Sequence, residues 1–324
     1  MSIRNPKSII RNPLTTLPRR VLVLVGPTAS GKTSVSIELA GLLDGEIISA
    51  DSRQVFKHLD IGTAKPSKLQ LSSVKHYFVD MLLPDEDFNA GEFGERGRKV
   101  IDEIFEKRKT PIVVGGSGLY VQSLINGLFD GPAADTELRE VMERRVSEGN
   151  LPELIAELRR VDSLSAERID LTKPRRIIRA LEVFHATGKP ISEHHAESKI
   201  EINFAPLLFG LEWDRYELYQ RIDQRCEDML KNGLLQEVEE LKKRGYGPRL
   251  NALNTVGYAE AFDYMSGEIS YDEMVRLFKQ NSRRYAKRQM TWFRRDKRIR
   301  WIQMNENSDL LATAEIIAES FRKH

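Results

Sequence analysis

Eight residues near the start of the chain, Gly26-Pro27-Thr28-Ala29-Ser30-Gly31-Lys32-Thr33, carry the spacing G-x-x-x-x-G-K-T. Glycines at these positions let successive backbone N–H groups turn inward around a polyphosphate. The helix that follows adds the partial positive charge of its N-terminus. Lys32 then reaches the terminal phosphates, and the Thr33 hydroxyl is a ligand for Mg²⁺. The flanks suit this loop. The apolar β-formers Val21 to Val25 precede it, and an amphipathic stretch from Ser34 to Leu43 follows, with Val35, Ile37, Leu39, Ala40 and Leu43 as its apolar positions. Strand, glycine loop and helix in that order form a P-loop. A glycine-rich turn with no ligand would need no lysine and threonine at its end.

Four further groups could act on the same ligand. Asp51 follows the apolar run Ile47 to Ala50. It reads equally as a general base or water-linked Mg²⁺ partner and as a plain turn residue of Asp51-Ser52. Gly115-Gly116-Ser117-Gly118 is a second glycine-rich loop after a strand, offering close backbone approach and the Ser117 hydroxyl. Arg221 and Arg225 lie four residues apart and share a helix face. Such a pair can grip a pyrophosphate bidentately, or belong to a surface network with Asp223, Glu227 and Asp228. Arg175 and Arg179 share a face on a stretch that opens with Thr172 as N-cap and Pro174 in the first turn. They read as a solvated basic face or as contacts to a phosphate backbone.

The densest charge lies near the C-terminus. Residues 276–300 hold eleven Lys or Arg and one acid, Asp296, with Tyr285, Trp292, Phe293 and Trp301 interleaved. Cations for phosphates and rings for unstacked bases suit a nucleic acid. A net charge of +2 over the whole chain carries no such message, so it is the distribution that argues. No histidine pair has metal-ligand spacing.

These groups need a scaffold. Hydrophobic content of 40% and charged content of 30% fit a soluble globular protein. No apolar run approaches the ~20 residues of a membrane span. The single Cys226 excludes an internal disulfide framework and fits a reducing compartment, here the cytoplasm. Residues 1–20 are basic, carry Pro6, Pro13 and Pro18, and lack the apolar core of a secretory signal, so they read as a flexible tail. Strand signals at Val21–Val25, Glu46–Ala50, His76–Asp80 and Pro111–Val114 alternate with helical stretches such as Ala90–Lys107. Alternation of this kind implies an α/β fold, a parallel sheet flanked by helices with ligands at the carboxyl ends of the strands. From Gly131-Pro132 to about Lys199 the pattern is helical and charge-rich. The chain then returns through a strand at Phe204–Leu211 and helices near 214–243 and 257–296. The division is therefore a core of 21–130 and 201–324 around a helical insertion of 131–200.

Several blocks together resemble the tRNA dimethylallyltransferase (tRNA isopentenyltransferase) family, from about Val21 to Trp301. They are Gly26 to Thr33, Ile48-Ser49-Ala50-Asp51-Ser52-Arg53-Gln54-Val55-Phe56, Asp60 to Pro66, Phe88 to Phe93, and Val113 to Tyr120. Arg176 to Val183, Arg221 to Arg225, Val256-Gly257-Tyr258 and Ala286-Lys287-Arg288-Gln289 complete the set. The resemblance implies transfer of a dimethylallyl group from its diphosphate to N6 of adenosine 37 in tRNA, on a P-loop NTPase-like fold. It implies that the P-loop, with Lys32, Thr33 and Mg²⁺, holds the diphosphate of the donor. Asp51 is then the general base, Arg225 the pyrophosphate clamp, and Ser117 part of the catalytic group where the family usually has threonine. The family also usually has tyrosine where Phe56 stands. Asp51, Ser52, Arg53, Gln54, Ser117, Arg139 and Arg175, Arg176, Ile177, Ile178 and Arg179 fall near the tRNA anticodon stem-loop by the same resemblance. So do Asn254, Thr255, Val256, Gly257, Tyr258 and Ala259, with Arg284, Lys287 and Arg288 as backbone contacts. A monomer suffices. The competing readings are a prenyltransferase for free adenine nucleotides, a P-loop kinase, and a non-catalytic RNA binder.

Overall fold

The structure, a computed structural model, describes residues 19–127, 136–197 and 201–324. Apart from Arg19 and Arg20, the expected tail lies outside the described residues, as does the expected composition break at Gly131-Pro132. The core runs β1 (Arg20–Val25), α1 (Lys32–Leu43), β2 (Gly45–Ser49), α2 (Lys68–Ser73), β3 (His76–Tyr77), α3 (Ala90–Glu106), β4 (Thr110–Gly115) and α4 (Gly118–Asn126). Five helices follow: α5 (Thr136–Ser147), α6 (Leu151–Val161), α7 (Ser163–Arg168), α8 (Pro174–Thr187) and α9 (Ile191–Glu197). The chain returns through β5 (Ala205–Trp213), α10 (Arg215–Lys231), α11 (Leu234–Lys243), α12 (Tyr258–Met265), α13 (Tyr271–Phe293), β6 (Arg300–Met304) and α14 (Leu310–Arg322).

One six-stranded sheet has the order β3-β2-β4-β1-β5-β6. Every pairing is parallel. Val21 to Val25 are fully buried, as the central strand of a sheet covered on both faces must be. That is why this strand reads as a continuous apolar run rather than an alternating one. The register sets Val25 beside both Gly115 and Gly210. The loops leaving β1 and β4 therefore start at one level of the sheet, with β2 ending beside them.

A second apolar cluster, including Met142, Leu154, Leu158, Ile177 and Leu181, lies wholly within α5 to α8. It is separate from the core beneath the sheet.

The elements differ from the sequence reading at definite places. The third strand stops at Tyr77 because Phe78 and Asp80 take positive φ, 61° and 53°. The expected helix 214–243 breaks at Gly233 (φ 99°), and 257–296 breaks at Gly267 (φ 81°). The edge strand β6 and the helix α14 escaped the sequence reading. The Trp301 ring of β6 packs over Gly210, where a Cβ would sit 2.6 Å from it. Thr172 is not the N-cap of α8. Its hydroxyl donates to Asp170 at 2.6 Å, and Lys173, which has no acceptor to offer, occupies the cap.

Gly115 shows how tightly the strand ends converge. A Cβ there would lie 2.1 Å from the Ala50 carbonyl oxygen. Gly115→Ala should cost about 1–3 kcal/mol or more. Gly41→Ala, in the open on α1, should gain roughly 0.5–1 kcal/mol. Denaturant midpoints read both at constant slope, and equal midpoints for the two variants would refute the convergence.

Candidate active site

The P-loop is held open by groups outside it. Gly31 takes φ 90° and caps α1 without a side-chain bond, so the first N–H groups of the helix remain available. Arg221 Nε donates to the Ala29 carbonyl at 3.0 Å, and Trp213 Nε1 donates to the Ser30 carbonyl at 3.1 Å. In a planar trans peptide a carbonyl and the following N–H point in opposite directions. Tying those two carbonyls outward therefore aims the Ser30 and Gly31 N–H groups inward. The Arg221 guanidinium also lies 4.1 Å from the centre of the Trp213 ring. Arg221 thus holds the loop through the Ala29 carbonyl while lining, with Arg225, an opening beside it.

Gln289 of α13 joins the two glycine loops. Its Oε1 accepts from Thr28 N–H at 2.8 Å, and its Nε2 donates to the Gly116 carbonyl at 3.0 Å. A Cβ on Gly116 would stand 2.2 Å from that nitrogen. Sequence reading quoted this glutamine within a block but gave it no role. Its polar character at a buried position on α13 was the available signal.

Between the loops lies a cleft of about 480 Å³, lined by Thr28, Lys32, Thr33, Asp51 to Gln54, Arg225, Asn254 to Val256, Ala259, Tyr285 and Arg288 among others. Lys32, Thr33 and Arg225 also line a second opening of about 620 Å³, beside Arg221 and Glu217. The end of the cleft beside Lys32 and Thr33 is thus reached from two sides.

Electrostatically the cleft is unbalanced. Burial, and then the nearby Arg225, pull the Lys32 ammonium down to about 7, while Asp51 opposes them. Burial also lowers Arg225, again against Asp51. Lys32 Nζ donates to the Pro27 carbonyl at 2.6 Å. Among the described residues, neither cation has a carboxylate within 4 Å. Two acids of α10 are taken by α13, Asp223 by Arg283 at 2.5 Å and Glu227 by Lys279 at 2.6 Å, and Asp228 accepts from Gln224 Nε2 at 2.9 Å. The surface network is real, but it excludes Arg225.

Asp51 is fixed by its own turn. Its Oδ1 accepts from the N–H groups of Arg53 at 2.9 Å and Gln54 at 3.4 Å. The turn reading and the functional reading are therefore compatible. Ser117 Oγ accepts from Ser52 N–H at 3.1 Å and is hydrogen-bonded to Tyr285, whose burial pushes its hydroxyl up to about 12. Ser117 stands behind the Asp51 turn and does not line the cleft. Gln54 Nε2 donates to the Thr63 and Ala64 carbonyls. Glu237 accepts from the N–H groups of Asp60, Ile61 and Gly62 and from the Tyr258 hydroxyl. This carboxylate, unnoticed in the sequence, fixes the opposite wall.

The remaining predicted residues divide by exposure. Tyr258 is fully buried, as is Phe56 in the core, so the latter packs rather than reaches the cleft. Gly257 is buried as well. Ile177 and Ile178 belong to the core of the helical insertion, so their side chains are closed to a ligand. Arg139 makes two bonds to Glu182, at 2.7 and 2.9 Å, and Arg179 approaches the same carboxylate at 3.5 Å. Arg175 and Arg176 stay exposed.

On α13, Arg276, Lys279 and Arg283 are ion-paired. Arg284, Lys287 and Arg288 are exposed, and none has a carboxylate within 4 Å among the described residues. Of the four rings, Phe293 is buried and Trp301 packs in the sheet edge. Tyr285 and Trp292 remain near the cleft.

Comparison with known proteins agrees with this geometry. The family model described as IPP transferase matches residues 54–296. The chain belongs to that family. A tRNA dimethylallyltransferase of Acetivibrio thermocellus is 47% identical over 88% of this chain and 92% of its own. Another, from Cytophaga hutchinsonii, is 44% identical over 91% and 96%. The crystal structure of a tRNA isopentenylpyrophosphate transferase from Bacillus halodurans shares 34% identity at a TM-score of 0.69, covering 94% of this chain and 97% of that one. A eukaryotic dimethylallyltransferase solved acting on tRNA shares 28% identity at a TM-score of 0.80, covering 93% and 78%. The sheet and its flanking helices are the P-loop NTPase-like arrangement of these family members. The family model begins at Gln54, after the P-loop and Asp51, while the curated relatives span most of the chain.

Lys32 gives the site a pH signature. In the free protein it loses its proton as pH rises through about 7. A bound anion favours the charged form, so binding above pH 7 must take up a proton. Calorimetry with inorganic pyrophosphate in two buffers of different ionisation heat, at pH 8, should show a Lys32-dependent uptake approaching one proton. The uptake should shrink toward pH 6 and vanish in Lys32→Met. The same uptake in wild type and variant would contradict it.

Proposed function

We propose that this protein transfers the dimethylallyl group of dimethylallyl diphosphate to N6 of adenosine 37, beside the anticodon of tRNA. The observation that carries the reading is one cleft in which two desolvated cations without an acid partner, Lys32 and Arg225, share space with Asp51. An anion must complete such a site. The unpaired basic face of α13 at its mouth suits RNA better than a free nucleotide or a metabolite. The relatives named above act as tRNA dimethylallyltransferases by name, which supports the same substrate.

In the reaction the bond between the allylic carbon and the diphosphate oxygen breaks, and the oxygen leaves with the electron pair. A bond forms from that carbon to N6 of the adenine. Charge grows on the departing diphosphate, where the P-loop N–H groups, Lys32 and Arg225 are already aimed. Arg225 can grip two oxygens at once. Asp51, its Oδ1 held by two backbone N–H groups, receives the proton from N6. Ser117 keeps the Asp51 turn in place through Ser52. The target base leaves its stack to enter the cleft, a step made cheaper by a single-stranded loop.

Mg²⁺ fits the donor set. The Thr33 hydroxyl and Asp51 line the same cleft, and Mg²⁺ characteristically binds through one or two protein oxygens plus phosphates and water. No cluster of three His, Cys, Asp or Glu among the described residues could hold a metal unaided. When bound, the ion would neutralise diphosphate charge. We extend the reading to a monomeric cytoplasmic enzyme. One chain supplies every cleft residue, and no described helix is long and apolar enough to cross a membrane.

The decisive assay is mass. Unmodified tRNA given dimethylallyl diphosphate, Mg²⁺ and the protein should gain one five-carbon unit, and ATP-dependent phosphorylation of a metabolite with unaltered RNA would overturn the reading. Asp51→Ala should cut turnover by about 10²–10⁴-fold with tRNA affinity little changed, whereas equal losses would make Asp51 an RNA anchor. Replacing Arg284 and Arg288 together by Gln should reduce the slope of log affinity against log salt by about 2. An unchanged slope would return this face to mere solvation.

A further inference from the structure

Trp292 has no part in the mechanism above, yet its placement is unusual. It is 37% exposed on α13. The ring is also fixed. A Cβ on Gly118 would stand 2.2 Å from Trp292 Cδ1 and 2.4 Å from Nε1, so the indole lies directly on the backbone that follows Ser117. Tyr285, Arg288 and Trp292 recur at helical one-face spacing. Tyr285 and Arg288 line the cleft, which sets Trp292 one turn beyond its mouth. Arg288, one turn back on the same face, is a cation without an acid partner among the described residues.

We propose that Trp292 is a stacking platform for the nucleobase adjacent to the adenosine being modified. The inference rests on the RNA-prenylating reading and goes beyond it. When the target base is drawn into the cleft, each of its neighbours loses a stacking partner. A ring already packed on the Gly118 backbone replaces that partner at little ordering cost, while Arg288 beside it meets a flanking phosphate. Stacking of this kind tolerates any base, so Trp292 holds the opened loop and does not read sequence.

The test uses binding alone, without the prenyl donor, so that its failure is distinct from failure of the transfer reaction. Synthetic anticodon stem-loops carry either the intact loop or an abasic site on the 5′ or the 3′ side of the target adenosine. Trp292→Ala should weaken the intact RNA by about tenfold, and Trp292→Phe by less than about threefold. One abasic RNA should bind wild type about as weakly as the intact RNA binds Trp292→Ala. Trp292→Ala should then cost that RNA nothing further, because the stacking partner is already gone. Equal losses on all three RNAs, or no loss on the intact one, would overturn the proposal. Inorganic pyrophosphate affinity supplies the structural control. If it falls in Trp292→Ala, the ring serves to hold the Gly118 loop and the stacking role is wrong.

Discussion

Two cations that the protein itself leaves unanswered govern this structure. Arg225 sits close enough to lower the Lys32 ammonium, and both cations are withdrawn from water. Asp51 opposes the shift of both, and among the described residues it makes no ion pair with either. Burying such charges costs several kcal/mol unless a partner is supplied. On α10, Asp223 and Glu227 lie two residues either side of Arg225 and face away from it, while Asp228, one turn on, accepts from Gln224. Cations of α13 hold the first two in ion pairs of their own. The missing anion must come from outside, and a diphosphate has the charge and the oxygens to answer both cations.

The same helix, α13, ties three tasks together. Its paired cations neutralise α10, its Gln289 locks the P-loop to the Gly116 loop, and its unpaired face borders the cleft mouth. Around the cleft, single side chains fix whole backbone segments: Trp213 and Arg221 for the P-loop, Ser117 for the Asp51 turn, Glu237 for residues 60–62. A backbone N–H or a short carboxylate can then be aimed before any ligand arrives, which is where electrostatic preorganisation gains its advantage.

Much of this was readable in the residues. The P-loop is legible because its chemistry needs particular types at fixed spacing and its flanks confirm the strand and helix. The central strands are legible because both faces are buried and the run is wholly apolar. The resemblance carried Asp51 and Arg225, whose local patterns alone left them open. The supporting shell was illegible because its partners are remote in the chain: Gln289 acts on Thr28, and Glu237 on Asp60. Edge strand β6 was missed because one neighbour suffices to hold it, so its sequence need not be strongly apolar. The contact of Arg221 to the P-loop was hidden because a shared helix face does not say what lies opposite. Ile177 and Ile178 entered through a motif block, while their burial follows from the helical period of α8.

The central claim is that Arg225 is kept without a protein partner for the sake of an external anion. Thermal unfolding of wild type and Arg225→Met, each with and without inorganic pyrophosphate, tests it directly. Without ligand the variant should melt at or above the wild-type temperature, since an uncompensated buried charge has been removed. Pyrophosphate should raise the wild-type midpoint through binding to the folded state and leave the variant almost unmoved. A variant that melts lower on its own and is still stabilised by pyrophosphate as strongly as wild type would show that Arg225 serves the fold, and the account would fail.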